Sequence, residues 1–481
     1  MFLTIIFCYL FLSILLLASV SNRYFIKVYS LFTALIVLLL SIKILIDFNY
    51  TQYYFQSISI YKVDTAYMNW SYTFGFDGIS ILFFFLTTFI VFLCVFFMLE
   101  DTFLKENVII ILSIEFLLLL VFSILDILLF YIFFEIILIP MYFLIGIFGS
   151  RERKIRAVYL LFFYTLIGSF FFLLGIMYIF SIVGTLNLEY ILTWEFTFYE
   201  QIYLWLAFFF SFAAKVPLFP LHIWLPEAHV EAPTVGSVLL AGILLKLGVY
   251  GFLRFNLLLF PQASFFFAPL IAICASFGII YTSFSAIRQT DLKRIIAYSS
   301  VSHMNLIILG LFSFNFTGLE GALLQSLSHG YVSSALFFLI GMLYNRYHSK
   351  LLYYYGGLVH TMPIFVCFFF FFTLANLALP GTSNFVGEFI LLNAIFKNNF
   401  FLSIICVIGV VLCGVYSLWL YNRISFGNLK QFYLITFFDL TIAEFILLIS
   451  LVFFTLFLGL YPTFFINFIT LTLFGISTSF E

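Results

Sequence analysis

Apolar runs about the length of a membrane-spanning helix recur from one end of the chain to the other, and the polar residues between them come in short clusters. A helix needs about 20 consecutive apolar residues to cross the hydrocarbon core of a bilayer. Such runs fall at 1–20, 28–47, 78–99, 107–124, 126–148, 157–183, 201–219, 235–256, 265–286, 295–313, 319–342, 363–395, 400–422 and 443–470. The pattern predicts an all-α polytopic membrane protein of about 14 transmembrane helices. The fourth and fifth runs are nearly continuous and part only around Asp126. The seventh loses its regularity at Pro217 and Pro220, and the twelfth breaks in its middle at LALPGTSN (Leu377–Asn384). A helix interrupted inside a bilayer frees backbone groups that lipid cannot satisfy, so such breaks line polar paths and ion sites. The simpler reading of the first break is that one span ends there and a loop begins.

Each break has a charge close by, Lys215 before the first and Glu388 after the second. Spans four to eight and nine to thirteen thus carry broken helices at matching positions of two five-helix units. An offset of five spans turns the second unit over. This predicts two inverted five-helix repeats with broken seventh and twelfth helices, at 107–256 and 265–425. Helices 1–3 precede them in 1–106, and a C-terminal helix follows in 426–481.

Composition sharpens the picture. Of 481 residues, 65% are hydrophobic and 9% charged, against roughly 25% charged in soluble domains, so no soluble domain is expected beside the spans. A net charge of −1 supplies no field to attract nucleic acid. Loops that follow odd-numbered spans hold 14 lysines and arginines, and those that follow even-numbered spans hold 3. By the positive-inside rule the odd loops face the matrix or cytoplasm and both termini face the other side. The run RERKIR (Arg151–Arg156) reads as an anchor on that basic side. The six cysteines lie scattered in apolar runs without a C-x-x-C, which argues against zinc, iron–sulfur and disulfide frameworks. The aromatic excess, 74 Phe and 30 Tyr, is the bias of an AT-rich genome such as that of an organelle.

Ionisable side chains within the spans carry the candidate chemistry. Each costs about 2.5–3.5 kcal/mol at mid-bilayer on insertion scales, so each asks for a function. They are Glu135 in the fifth span, Lys215 in the seventh, Lys246 in the eighth, His303 in the tenth, His329 in the eleventh and Glu388 in the twelfth. All can hold or release a proton. At one depth they would form a chain of titratable sites along the membrane plane. Glu135 near Lys215 would hold that lysine charged, and separating the two would release its proton. The pair could equally be static and fix helix register, and the histidines could be packing residues. Lys246 shows no fixed partner within its own span. Glu115 and Asp126 read as less central; His222, His229, Glu227 and Glu231 read as the mouth of the path or as loop caps. His348 and His360 read as solvated.

Four stretches carry a resemblance to a known family: FYIFFEIILIPMYFLIG, AAKVPLFPLHIWLPEAHVEAPTVGSVLLAGILLKLGVYG, RQTDLKRIIAYSSVSHMN and LANLALPGTSNFVGEF. Together they resemble the antiporter-like membrane subunits of respiratory complex I, over about residues 75–425. The resemblance implies proton translocation coupled to quinone reduction elsewhere in the complex, with Glu135, Lys215, Lys246, His303, His329 and Glu388 as the proton path. The glutamate at 388 is similar to that of one subunit type, whose sister subunits carry lysine there. The family's flavin and iron–sulfur clusters belong to partner subunits, and NADH and ubiquinone are substrates of the whole complex, so no cofactor is expected in this chain. The expected partners are other membrane subunits, sister antiporter-like subunits among them, and lipids, in the mitochondrial inner membrane. Multisubunit cation/proton antiporters share the lysine-and-glutamate pattern of the first half and form the alternative reading.

Overall fold

The computed structural model describes residues 2–52, 54–64, 69–100, 104–430 and 438–478. Helices dominate because a bilayer offers the backbone no hydrogen bonds, and a helix satisfies its own N–H and C=O groups. Among the described residues, eleven helices are long and apolar enough to cross a membrane. Shorter apolar helices stand near both ends of the chain and in the first half of the twelfth run.

Helices α1 (Phe2–Ser19) and α2 (Arg23–Asp47) open the chain. The second starts ahead of the predicted residue 28 because Asn22 caps it, accepting from the Tyr24 amide at 3.0 Å. A β-hairpin follows, β1 (Gln56–Asp64) against β2 (Asn69–Phe76), antiparallel with Ile60 opposite Thr73. No strand is expected from the hydropathy of this polar stretch. Asp77 ends the hairpin and starts α3 (Gly78–Phe97), its Oδ1 accepting from the Ser80 amide at 2.9 Å. Then come α4 (Leu104–Ser123), α5 (Ile127–Phe148) and α6 (Lys154–Val183), with Asp126 as the cap between α4 and α5.

Both expected breaks are present. Helix α7 (Phe198–Lys215) stops at Lys215, and α8 (Trp224–Glu231) resumes after the prolines. Helix α13 (Pro363–Asn376) stops before Pro380, and α14 (Ser383–Asn398) resumes after Gly381, whose φ of +94° suits a residue without Cβ. Between and after them run α9 (Thr234–Leu257), α10 (Pro261–Arg288), α11 (Leu292–Leu311), α12 (Phe316–Tyr347) and α15 (Phe400–Ser425). The single run expected at 443–470 is two helices, α16 (Ile442–Leu460) and α17 (Pro462–Thr478). Pro462 has no N–H to continue the ladder, and Tyr461 leaves the helical region at φ −123°, ψ 58°.

The helices sort by burial. Helices α3, α9, α11 and α12 are almost wholly enclosed, whereas only about a third of the residues of α2, α6, α10, α15 and α16 are buried. The outward faces carry Phe, Ile, Leu and Val, as lipid or partner helices require. Of the six candidate residues, Lys246, His303 and His329 sit on enclosed helices, Lys215 and Glu388 on the two broken ones, and Glu135 on the partly enclosed α5.

Candidate proton path

Helix α5 turns irregular at Ile137, since Pro140 offers no N–H to the Ile136 carbonyl. Glu135 lies just before this defect. Facing it, Lys215 is the last residue of α7, where the helix has run out of amides. Its Nζ donates to the Phe134 carbonyl at 2.6 Å and lies 3.7 Å from Glu135 Oε1. The same ammonium stands 3.1 Å from the centroid of the Phe134 ring. Carbonyl, carboxylate and ring face together solvate a cation removed from water. Helix α9 presses on this end of α7 at Gly248, where a Cβ would come within 2.3 Å of Val216.

Lys246 is fully enclosed on α9. The helix widens to a π-turn over Leu240–Leu244, directly before it. Such bulges re-aim backbone groups and recur at functional sites. Here the Ala241 carbonyl accepts from Lys246 Nζ at 2.5 Å, so the lysine does have a partner in its own span, which hydropathy alone did not reveal. A second partner comes from α12, where His329 Nδ1 lies 2.8 Å from the same Nζ. The His329 and His303 ring centroids are 5.7 Å apart. His303 Nδ1 then meets Glu388 Oε1 at 3.1 Å, with both side chains 5% exposed. Gln325 donates to that same carboxylate oxygen at 3.2 Å. Gly387 permits this approach of α14 to α12, because a Cβ there would lie 2.5 Å from Gln325 Oε1 and 2.8 Å from its backbone.

The six expected residues thus form two groups, Glu135 with Lys215, and Lys246, His329, His303 and Glu388 in that spatial order. Among the described residues no side-chain hydrogen bond or ion pair joins the two groups.

Other expectations need correction. His229 and Glu231 are not at an open mouth: α8 turns back into the protein, which leaves them 0% and 1% exposed. His229 stacks on Phe337 with centroids 4.6 Å apart, and His222 is buried too. Only Glu227 of that set is half-buried, paired with Arg294 at 2.7 Å. Glu115 is fully buried midway along α4, and neither of its oxygens has a hydrogen-bond partner among the described residues. Lys293 and Lys350, counted among the loop cations, are also buried. They donate to Ala232 O and Val230 O, carbonyls that close the C-terminal end of α8, where cations are favoured. His348 and His360 are exposed, as expected.

Further polar groups escape a sequence reading because nothing in their own spans marks them. Cys413 Sγ lies 3.8 Å from His303 Nε2 and accepts from Tyr416 OH at 3.0 Å. Asp77 pairs with Arg254 at 2.7 Å, and both are buried. Among the described residues no three His, Cys, Asp or Glu side chains cluster as a metal cage would require.

Comparison with known proteins bears on this arrangement. The family model described as NADH:quinone oxidoreductase/Mrp antiporter, TM, matches residues 125–413, a stretch that contains all six candidate residues. NADH-ubiquinone oxidoreductase chain 4 of Marchantia polymorpha is 49% identical over 440 residues, covering 91% of this chain and 89% of its own. The protein of the same name from Arabidopsis thaliana is 49% identical over 466 residues, covering 96% and 94%. In solved structures, a chain of respiratory complex I from Thermus thermophilus with bound NADH superposes with a TM-score of 0.87 at 28% identity, over 100% of both chains. A chain of the Mrp complex from Dietzia sp. shares the fold, with a TM-score of 0.86 at 19% identity, over 100% of this chain and 97% of that one. By the extent and level of these matches, the chain belongs to the NADH-ubiquinone oxidoreductase chain 4 family of antiporter-like membrane subunits.

Proposed function

We propose that this chain carries protons through the membrane arm of respiratory complex I, by way of Glu135, Lys215, Lys246, His329, His303 and Glu388. It works beside other membrane subunits of that complex, and oxidation of NADH and reduction of ubiquinone take place in partner subunits that hold the flavin and iron–sulfur clusters. The observation that carries the reading is the run of contacts from Lys246 through His329 and His303 to Glu388, built by three enclosed helices and one broken one.

The chemistry follows from the partners. His329 Nδ1 accepts from the Lys246 ammonium only in the tautomer that keeps its proton on Nε2. Transfer to Nδ1 gives an imidazolium, which passes on the Nε2 proton toward His303. The 5.7 Å between ring centroids calls for a ring rotation or a water between the two. His303 donates through Nδ1 to Glu388. At the other end, Glu135 holds the Lys215 ammonium by charge, and moving that carboxylate away frees the lysine to discharge toward Lys246. Coupling between the two groups thus goes through the opening and closing of an ion pair.

The reading includes two inverted five-helix repeats, 107–256 and 265–425, each with one broken helix. It sets the chain in the mitochondrial inner membrane, encoded in the organelle, with both termini on the intermembrane-space side. The loop charge asymmetry supports that orientation. Membership in the chain 4 family favours a respiratory subunit over a free-standing cation/proton antiporter. The test is Lys215→Ala in the assembled complex. Protons pumped per electron should fall while the complex still assembles, and an unchanged ratio sinks the proposed path.

A further inference from the structure

On the basic side of the membrane, the end of α15 and the turn after it enclose an open cleft of about 330 Å³. That is the lower end of the size range for small-molecule sites. Its wall includes Trp419, Asn422, Arg423, Asn428 and Lys430. The two cations share the cleft wall, and burial, with Arg423 adding to it, pulls the Lys430 amine below its ordinary pKa. Neither lies within ion-pair distance of a carboxylate among the described residues. The acids nearest in the chain are already engaged. Glu444 binds Arg346 through both oxygens, at 2.9 and 2.5 Å, and Asp439 accepts from the amides of Ile364 and Phe365. Lys430 spends one donor on the Tyr353 carbonyl and keeps two.

The surface below the cleft is of a different kind. Val411, Val415 and Trp419 stand one helical turn apart on α15 beneath Arg423, and are 62%, 50% and 40% exposed. An apolar track thus climbs one face of the helix to an indole and ends at two cations that have no carboxylate partner among the described residues, Lys430 standing also over the Tyr353 ring at 4.6 Å. A free anion would use only the cations. A lipid uses both, with its chains along the valines, its glycerol level with the indole and its phosphate between Arg423 and Lys430.

We propose that this cleft is a binding site for the phosphate headgroup of an anionic phospholipid. The site shares no residue with the proton path and stands whether or not that path is correct.

The wild-type complex tests it first, through the reactivity of the Lys430 amine toward an acylating reagent. In nanodiscs of phosphatidylglycerol the amine should be protected; in phosphatidylcholine it should react freely. A preference of roughly thirtyfold is expected, the factor two basic side chains give at a membrane surface. Equal labelling in the two lipids overturns the proposal. So does protection by soluble glycerol phosphate in phosphatidylcholine discs, which would show a site for free phosphate. Phospholipid retained by the washed complex gives the second measurement. R423Q/K430Q should lose anionic phospholipid that R423K retains, with phosphatidylcholine content the same in both.

Discussion

Lys246 Nζ lies 2.8 Å from His329 Nδ1, across two helices and 83 residues of sequence. No other pair among the six candidate residues makes so short a contact between two titratable side chains. His329→Gln is the informative change, because an amide oxygen can still accept from the lysine while the side chain cannot carry a proton. The complex should assemble normally, and proton transfer should slow by about a hundredfold, the low end of what positioned acid–base groups supply. Pumping per electron in proteoliposomes is the measurement. Normal pumping would show that His329 only positions Lys246.

Gly387→Ala should displace Glu388 without altering any titratable group. The added Cβ would sit 2.8 Å from the backbone of Gln325, so α14 must back away from α12. Overpacking of this kind costs about 1–3 kcal/mol. The Gln325 and His303 bonds to Glu388 lengthen with it. Both lower thermal stability and slower pumping are expected, whereas Gly146→Ala, with open space around its Cβ, should change neither.

Much of this was legible in the chain, and the exceptions share a cause. Most spans, both helix breaks and the choice of the six candidate residues follow from local properties: hydropathy, proline and charge in apolar surroundings. The spatial order Lys246, His329, His303, Glu388 does not, because it depends on how α9, α11, α12 and α14 pack. Nor does the burial of His229 and Glu231, since a short polar helix that folds back inside has the composition of a loop. The β-hairpin leaves no mark in hydropathy, because two strands pairing with each other need no long apolar run. Glu115, by contrast, was readable: it stands midway along α4 with apolar residues on both sides.

The Asp77–Arg254 pair should be a stability element. It is buried, at 2.7 Å, and ties the start of α3 to the end of α9. Arg254→Met leaves the Asp77 carboxylate with its one capping bond from the Ser80 amide, and breaking one side of such a pair costs about 3–5 kcal/mol. Asp77→Asn combined with Arg254→Met removes both charges and should recover most of that loss. Thermal inactivation of the complex distinguishes the cases; equal losses in the single and double variants would show that the pair is not coupled.

Lys350 gives a pH signature outside the spans. Burial lowers its amine from the usual 10.5 to about 8, with Arg151 adding to the effect and Glu231 and Asp291 opposing it. Between those values the unfolded chain holds a proton that the folded chain has released, so raising the pH through this window favours the folded state. Below about pH 8 the penalty for the buried ammonium is complete. Lys350→Met removes this term, although it also removes the bonds to Ser150 and Val230. The wild-type minus variant difference in stability should therefore rise from pH 8 to 10.5 and be flat below it; a flat difference throughout contradicts the assignment.

Glu135 and Lys215 should behave as one unit. The carboxylate lies 3.7 Å from the ammonium, and the remaining ligands of the cation are one carbonyl and one ring. Glu135→Gln removes the charge that holds the lysine, and Lys215→Met removes the proton carrier itself. If the station works by opening and closing this pair, each change alone disables it, and the second has nothing left to remove. Residues acting as a unit are strongly non-additive in this way. The double variant should therefore pump no worse than the weaker single variant, per electron delivered to ubiquinone. Losses that multiply would mean that the two residues serve separate steps. A Glu135→Gln variant with full pumping would reduce the carboxylate to a partner that fixes the register of α5 against α7.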